Sequence, residues 1–173
     1  MLKRLARDRR GSAAVEFAFI APVVLMMYYG MVEASQGMLA NRRAGHVATA
    51  VGDIVAQDGQ TTIAQVDEIF DIAGAIFRPL PTNTLSIRIT SIKIETDGTQ
   101  TVLWSQTRGS LPVLTGTVTD VPPAMVVPGS GVIRADTTYT YNSTLQKMLP
   151  EPIQMAHTTH MKPRAYVPVL RPN

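Results

Sequence analysis

Cysteine is absent from the 173 residues. That excludes disulfides and thiol catalysis, and leaves any folded part to depend on packing or on neighbouring subunits. Histidine occurs only as His46, His157 and His160, and tryptophan only as Trp104. Charge is sparse at 17% of residues, and its excess is local. Residues 1–10 carry Lys3, Arg4, Arg7, Arg9 and Arg10 against Asp8, while the rest holds 11 basic and 12 acidic side chains. The pI of about 9.4 is therefore a property of the N-terminus. A body without a long basic stripe argues against nucleic acid as a partner. No glycine-rich phosphate cradle with its lysine is present, and Gly129-Ser130-Gly131 is too short for a nucleophile elbow. In a helix, His157-Thr158-Thr159-His160 would put two imidazoles on one face, but it lacks the base of an HExxH zinc motif. We expect no cofactor, no metal and no enzymatic activity.

What the chain does have is an uncharged run, Phe17 to Val32, FAFIAPVVLMMYYGMV. It follows a basic leader that ends at Gly11, and one carboxylate, Glu16, stands at its start. With Ala13, Ala14 and Val15 the apolar segment reaches about 20 residues, which at roughly 1.5 Å per residue matches a hydrocarbon core of about 30 Å. Basic residues 1–10 are expected to hold the N-terminus in the cytoplasm. Two readings compete. In one, this is a secretory signal cut near Ala34-Ser35, releasing a soluble adhesion or ligand-binding domain. In the other, the segment stays as a membrane anchor. Glu16 interrupting the early apolar stretch and a helical pattern running far past Ser35 favour the anchor.

From Ser12 to about Ile54 nothing forces the helix to stop. Pro22 removes one backbone donor and is expected to bend the rod modestly. Met31, Ala34, Met38, Val47, Val51 and Ile54 supply an apolar side, while Glu33, Asn41 and Arg42 require water or partners. Gly30, Gly37, Gly45 and Gly52 recur about every two turns, a spacing that either permits close helix contact or is accidental. Asp58-Gly59-Gln60 then breaks the chain. Val66, Ile69, Phe70, Ala73 and Phe77 predict a second helix over Ile63 to Ile76, capped by Thr61 or Thr62.

Beyond Pro79-Leu80-Pro81 the pattern turns sheet-like. Leu85, Ile87 and Ile89 alternate with polar residues, and Ile92 and Ile94 resume after a one-residue phase change that suggests a bulge. Asp97-Gly98 marks a turn into Thr101–Ser105, with Trp104 as a core or interface aromatic. Residues 106–130 read as a long connection, Val132 to Tyr141 as a third strand, Ser143 to Met148 as a short helical turn, and Ala165 to Leu170 as a weak strand. The predicted class is α+β: a long N-terminal transmembrane and amphipathic helix packed against a small antiparallel sheet. The expected division is a leader at 1–11, a long helix at 12–55 and an extracytoplasmic domain at 56–173.

Glu16 is costly so near lipid, which makes it a candidate for specific pairing. A neighbouring subunit's amine, a nearby group of its own helix, or the free N–H groups and dipole of a helix start would each compensate it. The run Arg9-Arg10-Gly11, Ser12-Ala13-Ala14-Val15-Glu16-Phe17-Ala18 and the apolar helix after it resembles the TadE/TadG-like branch of tight-adherence pilus proteins, TadE-type pseudopilins above all. The resemblance implies a pilin-like fold and cleavage between Gly11 and Ser12 by a prepilin peptidase. It also implies that Glu16 and Phe17 belong to the mature helix and serve assembly. By the same analogy the product is a minor pilin or pseudopilin of an adhesive type IV pilus. It would sit once through the bacterial inner membrane, its C-terminal domain periplasmic. Its partners would be the peptidase, other pilin-like subunits, the inner-membrane assembly machinery and lipid.

Overall fold

Alanine and valine are the commonest residues of 12–57, and a single helix forms there. In a computed structural model, which describes residues 11–143, 151–165 and 168–171, α1 runs without interruption over Ser12–Gln57 with Pro22 inside it. Asp58 leaves the helix in an extended conformation, and Gly59 and Gln60 complete the turn. The second helix, α2, spans Ile63–Phe77. Its start is a capping box: Gln65 N–H donates to Thr62 Oγ1 at 3.2 Å and Thr62 N–H to Gln65 Oε1 at 2.7 Å. All five apolar residues that predicted α2 are buried.

Five strands follow: β1 (Leu85–Ile94), β2 (Gln100–Arg108), β3 (Thr117–Val118), β4 (Gly131–Tyr141) and β5 (Ile153–Met161). They form one antiparallel sheet in the order β3-β2-β1-β4-β5. This is the expected architecture, a long N-terminal apolar helix on an antiparallel sheet in a pilin-like arrangement. The C-terminal half of α1 lies over β4 and β5, and α2 packs against α1 and β2. Between them sits a core of Val47, Val51, Val55, Phe70, Phe77, Ile87, Ile89 and Ile133. Phe77 meets Tyr139 edge-on at 4.6 Å between ring centres.

The expected bulge is present, in the pairing of β1 with β2. The register with β2 slips between Ser91 and Ile92, so that Ser91 faces Trp104 and Ile92 faces Val102. The extra residue is Leu103 of β2. Since β1 pairs with β4 without a slip and alternates throughout, Leu85, Ile87 and Ile89 face the helices, while Ile92 and Ile94 join Val121 and Val132 in a second core on the other face. Residues 109–130 close that core from the opposite face of the sheet, through Val118, a 3-10 turn at Pro123–Met125, and Val126. Gly109 begins this crossing at φ +101°, where an added Cβ would collide with Ser86.

Two expectations need correction. Among the described residues of 165–170 no strand forms; Leu170 makes one parallel bridge to Gln60, while the fifth strand is Ile153–Met161. His157 and His160 consequently lie in a strand, three residues apart, and point to opposite faces instead of sharing one. The helical turn expected at Ser143–Met148 falls, but for Ser143, outside the described residues, as does the leader at 1–10.

Candidate functional site

The rod α1 has two halves of different character. From Gly11 to Val32 it touches almost nothing: Phe17, Phe19, Met26, Met27 and Met31 are all more than half exposed. The stretch is long and apolar enough to cross a membrane, and none of its most apolar window is buried. From Glu33 onward one stripe is covered: Glu33, Ala40, Ala44, Val47, Ala48, Val51, Gly52, Val55 and Ala56. Met31, Ala34 and Met38, expected on the apolar side, stay exposed. Small residues on that side let the helix approach the sheet closely. A Cβ on Gly52 would stand 3.2 Å from that of Ala135, and one on Gly45 would stand 3.3 Å from the His157 ring. Gly37 faces Tyr141 at 3.8 Å. Three glycines of the suspected seam therefore serve contact with the chain's own sheet.

Glu33 marks the boundary between the halves. Its carboxylate is buried and accepts a hydrogen bond from the Tyr141 hydroxyl at 2.9 Å. Burial, reinforced by the adjacent Glu33 charge, pushes the Tyr141 phenol up to about 12. Ser12 to Val32 spans about 30 Å at helical rise, so this clasp stands one bilayer thickness from Ser12. Next to it on α1, Asn41 Oδ1 lies 2.9 Å from His157 Nε2, and Arg43 donates to the Ile76 carbonyl at 3.0 Å.

At the other end of the exposed half, Gly11 precedes the helix without a side-chain cap. Ser12 Oγ donates to Glu16 Oε1 at 3.3 Å, one turn along an exposed surface. Glu16 is the fifth helical residue, and its carboxylate reaches back to Ser12 in the first turn. Phe17 projects beside it, 71% exposed.

Sequence reasoning missed a polar cluster on the far face of the sheet. Arg88 and Asp136 are cross-strand partners, both buried, joined through Nε and a terminal nitrogen of the guanidinium at 2.9 Å. Asp136 also accepts from Arg134 Nε and from Thr158 Oγ1 at 2.6 Å, and Arg134 pairs onward with Asp120. Arg88 donates to the Pro112 carbonyl at 2.8 Å. The cluster ties β1, β4 and β5 to the long connection and offers no free reactive group. His160 beside it has its pKa lowered, chiefly by burial. Among the described residues no three His, Cys, Asp or Glu side chains converge as a metal site. Trp104 is buried, its indole N–H donating to the Val169 carbonyl at 2.8 Å and Arg171 resting on its ring. A groove of about 580 Å³ beside α2 is lined by Phe70, Asp71, Arg78, Asn83 and Arg108, among others, and its Arg108 already pairs with Asp71.

Residues 11–53 match the family model described as TadE-like protein. The match covers the junction at Gly11, the whole exposed half of α1 and most of its buried half, and stops short of the sheet. No curated protein matches the chain, and no solved structure does.

Proposed function

We propose that this chain is a minor pilin or pseudopilin of a tight-adherence type IV pilus, made as a precursor and cut between Gly11 and Ser12. One observation carries the reading: a helix whose exposed half could span a bilayer runs, without a break, into a half that forms the core of a folded domain. A removable signal has no need of that continuity. The TadE-like match over the same residues agrees with it.

The proposed sequence of events follows from the chemistry of α1. The basic leader stays in the cytoplasm while the exposed half enters the bacterial inner membrane, leaving the α+β domain on the periplasmic side. A prepilin peptidase removes residues 1–11 and frees the Ser12 amine. The assembly machinery then moves the subunit laterally from lipid into contact with other pilin-like helices. Apolar packing of Phe17 and its neighbours supplies cohesion, and a modest bend at Pro22 adapts the rod. Glu16 sets the register, because its charge is tolerated in that setting only beside a positive group such as a neighbour's amine.

The test is Glu16→Ala in the full chain, scored separately for membrane insertion and for recovery in sheared pilus or assembly fractions. Insertion is expected to be unchanged and incorporation to fall at least tenfold. Normal incorporation would remove Glu16 from this role.

A further inference from the structure

Among the described residues the sheet ends on both sides in strands that lack an outer neighbour. Among the described residues nothing pairs with the outer side of β5, a nine-residue strand of sequence IQMAHTTHM. It contains no Asp, Glu, Lys, Arg or Pro, the residues with which monomeric proteins usually guard a long edge. On the opposite side β3 covers only Gln100 and Thr101, and Val102 N–H donates to the Gly116 carbonyl. Leu103 to Arg108 of β2 have no further strand partner there among the described residues. Arg108 is the single charge of that stretch, and Asp67 and Asp71 of α2 already pair with it.

Strand direction selects what fits these edges. Gly37, Gly45 and Gly52 of α1 pass Tyr141, His157 and Met161 in turn, and Tyr141 is the register partner of Ile153. Hence β5 runs alongside α1, away from the exposed half of the rod. Three antiparallel steps across the sheet make β2 run back toward it. Two copies anchored in one membrane hold their rods parallel. Their β5 strands would meet each other only in parallel, the slightly weaker pairing. In contrast, β5 of one copy and β2 of the next meet antiparallel with no copy inverted.

We propose that the open edge of β5 docks on the Leu103–Arg108 edge of β2 in a second copy of this chain, continuing the sheet from subunit to subunit. The contact is strand addition, in which main-chain hydrogen bonds supply the affinity. It is also heterologous: each joined copy still offers one unused edge, so the contact propagates instead of closing a pair. Within one chain Thr107, Arg88, Asp136 and Thr158 form a single row across the sheet. With no axial offset between copies, Thr158 therefore faces Thr107 of the neighbour. An offset of two residues, about 6.6 Å, brings Ala156 opposite Thr107.

This inference rests on the membrane-anchored subunit proposed above. The absence of native cysteine makes the test clean. Full-length chains carrying Thr158→Cys with Thr107→Cys, or Ala156→Cys with Thr107→Cys, are oxidised mildly in isolated membranes. Three strand spacings, about 14 Å, separate the two positions within one chain, beyond the roughly 7 Å limit for a disulfide. Any bridge is therefore between chains. The expected result is a ladder of dimer, trimer and higher species from at least one double variant, and monomer alone from each single variant. Dimers from Thr158→Cys or Ala156→Cys alone would overturn the proposal in favour of β5 against β5. A single crosslinked species containing a different protein would overturn the second copy as occupant. Monomer throughout, in chains shown to be membrane-bound and to begin at Ser12, would refute edge pairing and leave the anchored subunit standing. Chains found soluble or uncut would instead refute the anchored subunit.

Discussion

Replacing Tyr141 by phenylalanine removes one hydroxyl and leaves its ring in place. That hydroxyl donates at 2.9 Å to Glu33, and the two residues are 5% and 4% exposed. No cavity opens, so the cost is that of a buried carboxylate losing a donor, about 2 kcal/mol. For a folded part of this size each kcal/mol moves the melting temperature by roughly 2–8 °C, so a drop of roughly 4–16 °C is expected. The assay is thermal unfolding of the detergent-solubilised full chain, followed by circular dichroism. Glu33→Leu combined with Tyr141→Phe removes both polar partners and is expected to recover at least half of the loss, since an apolar pair leaves nothing unsatisfied. The clasp also has a pH signature. The phenol's native pKa lies above its unfolded value of 10, so the stabilisation is complete below pH 10. It is lost as pH rises from 10 to about 12, where the unfolded chain gives up the proton first. Tyr141→Phe is expected to flatten that decline. An unchanged melting temperature, or additive effects of the two substitutions, would refute the clasp.

Three further substitutions test the packing. Gly52→Val puts branched volume against Ala135 and Met161 and is expected to cost about 1–3 kcal/mol. Gly74→Ala on α2, where nothing lies within 4 Å, is expected to gain up to about 1 kcal/mol of helix propensity; equal signs in chemical unfolding would refute the glycine line. Asp136→Ala strips the buried Arg88 of its counter-charge and is expected to cost about 3–5 kcal/mol. A loss below about 1 kcal/mol would show that the cluster does not secure the far face.

Much of this architecture is legible in the sequence because its signals are local. Period-3.6 apolar spacing gives α2 to within a residue, and the shift between Ile89 and Ile92 reports that β1 serves two cores on opposite faces. Three features are illegible for a shared reason: each depends on a distant partner. Glu33 reads as a residue in need of water, but its partner Tyr141 arrives 108 positions later. Arg88 reads as the solvent side of an alternating strand. It is buried because residues 109–130 fold over that side, and their proline, glycine and threonine content gives no sign of where they pack. The β5 strand escapes notice because its helix-facing positions include His157 and Thr159, tolerated next to the small residues of α1. The exposed half of α1 is the reverse case. Its sequence announces an apolar helix, and the structure adds that the same helix enters the fold as its central element.

The proposed function requires that helix to remain with the product after a cut at its cytoplasmic end. Its most direct test is N-terminal sequencing of the membrane-associated protein from cells with and without the prepilin peptidase. The predicted result is a terminus at Ser12 when the peptidase is present and at the uncut leader when it is absent. The same terminus in both strains, or a soluble mature form beginning near Ser35, would contradict it.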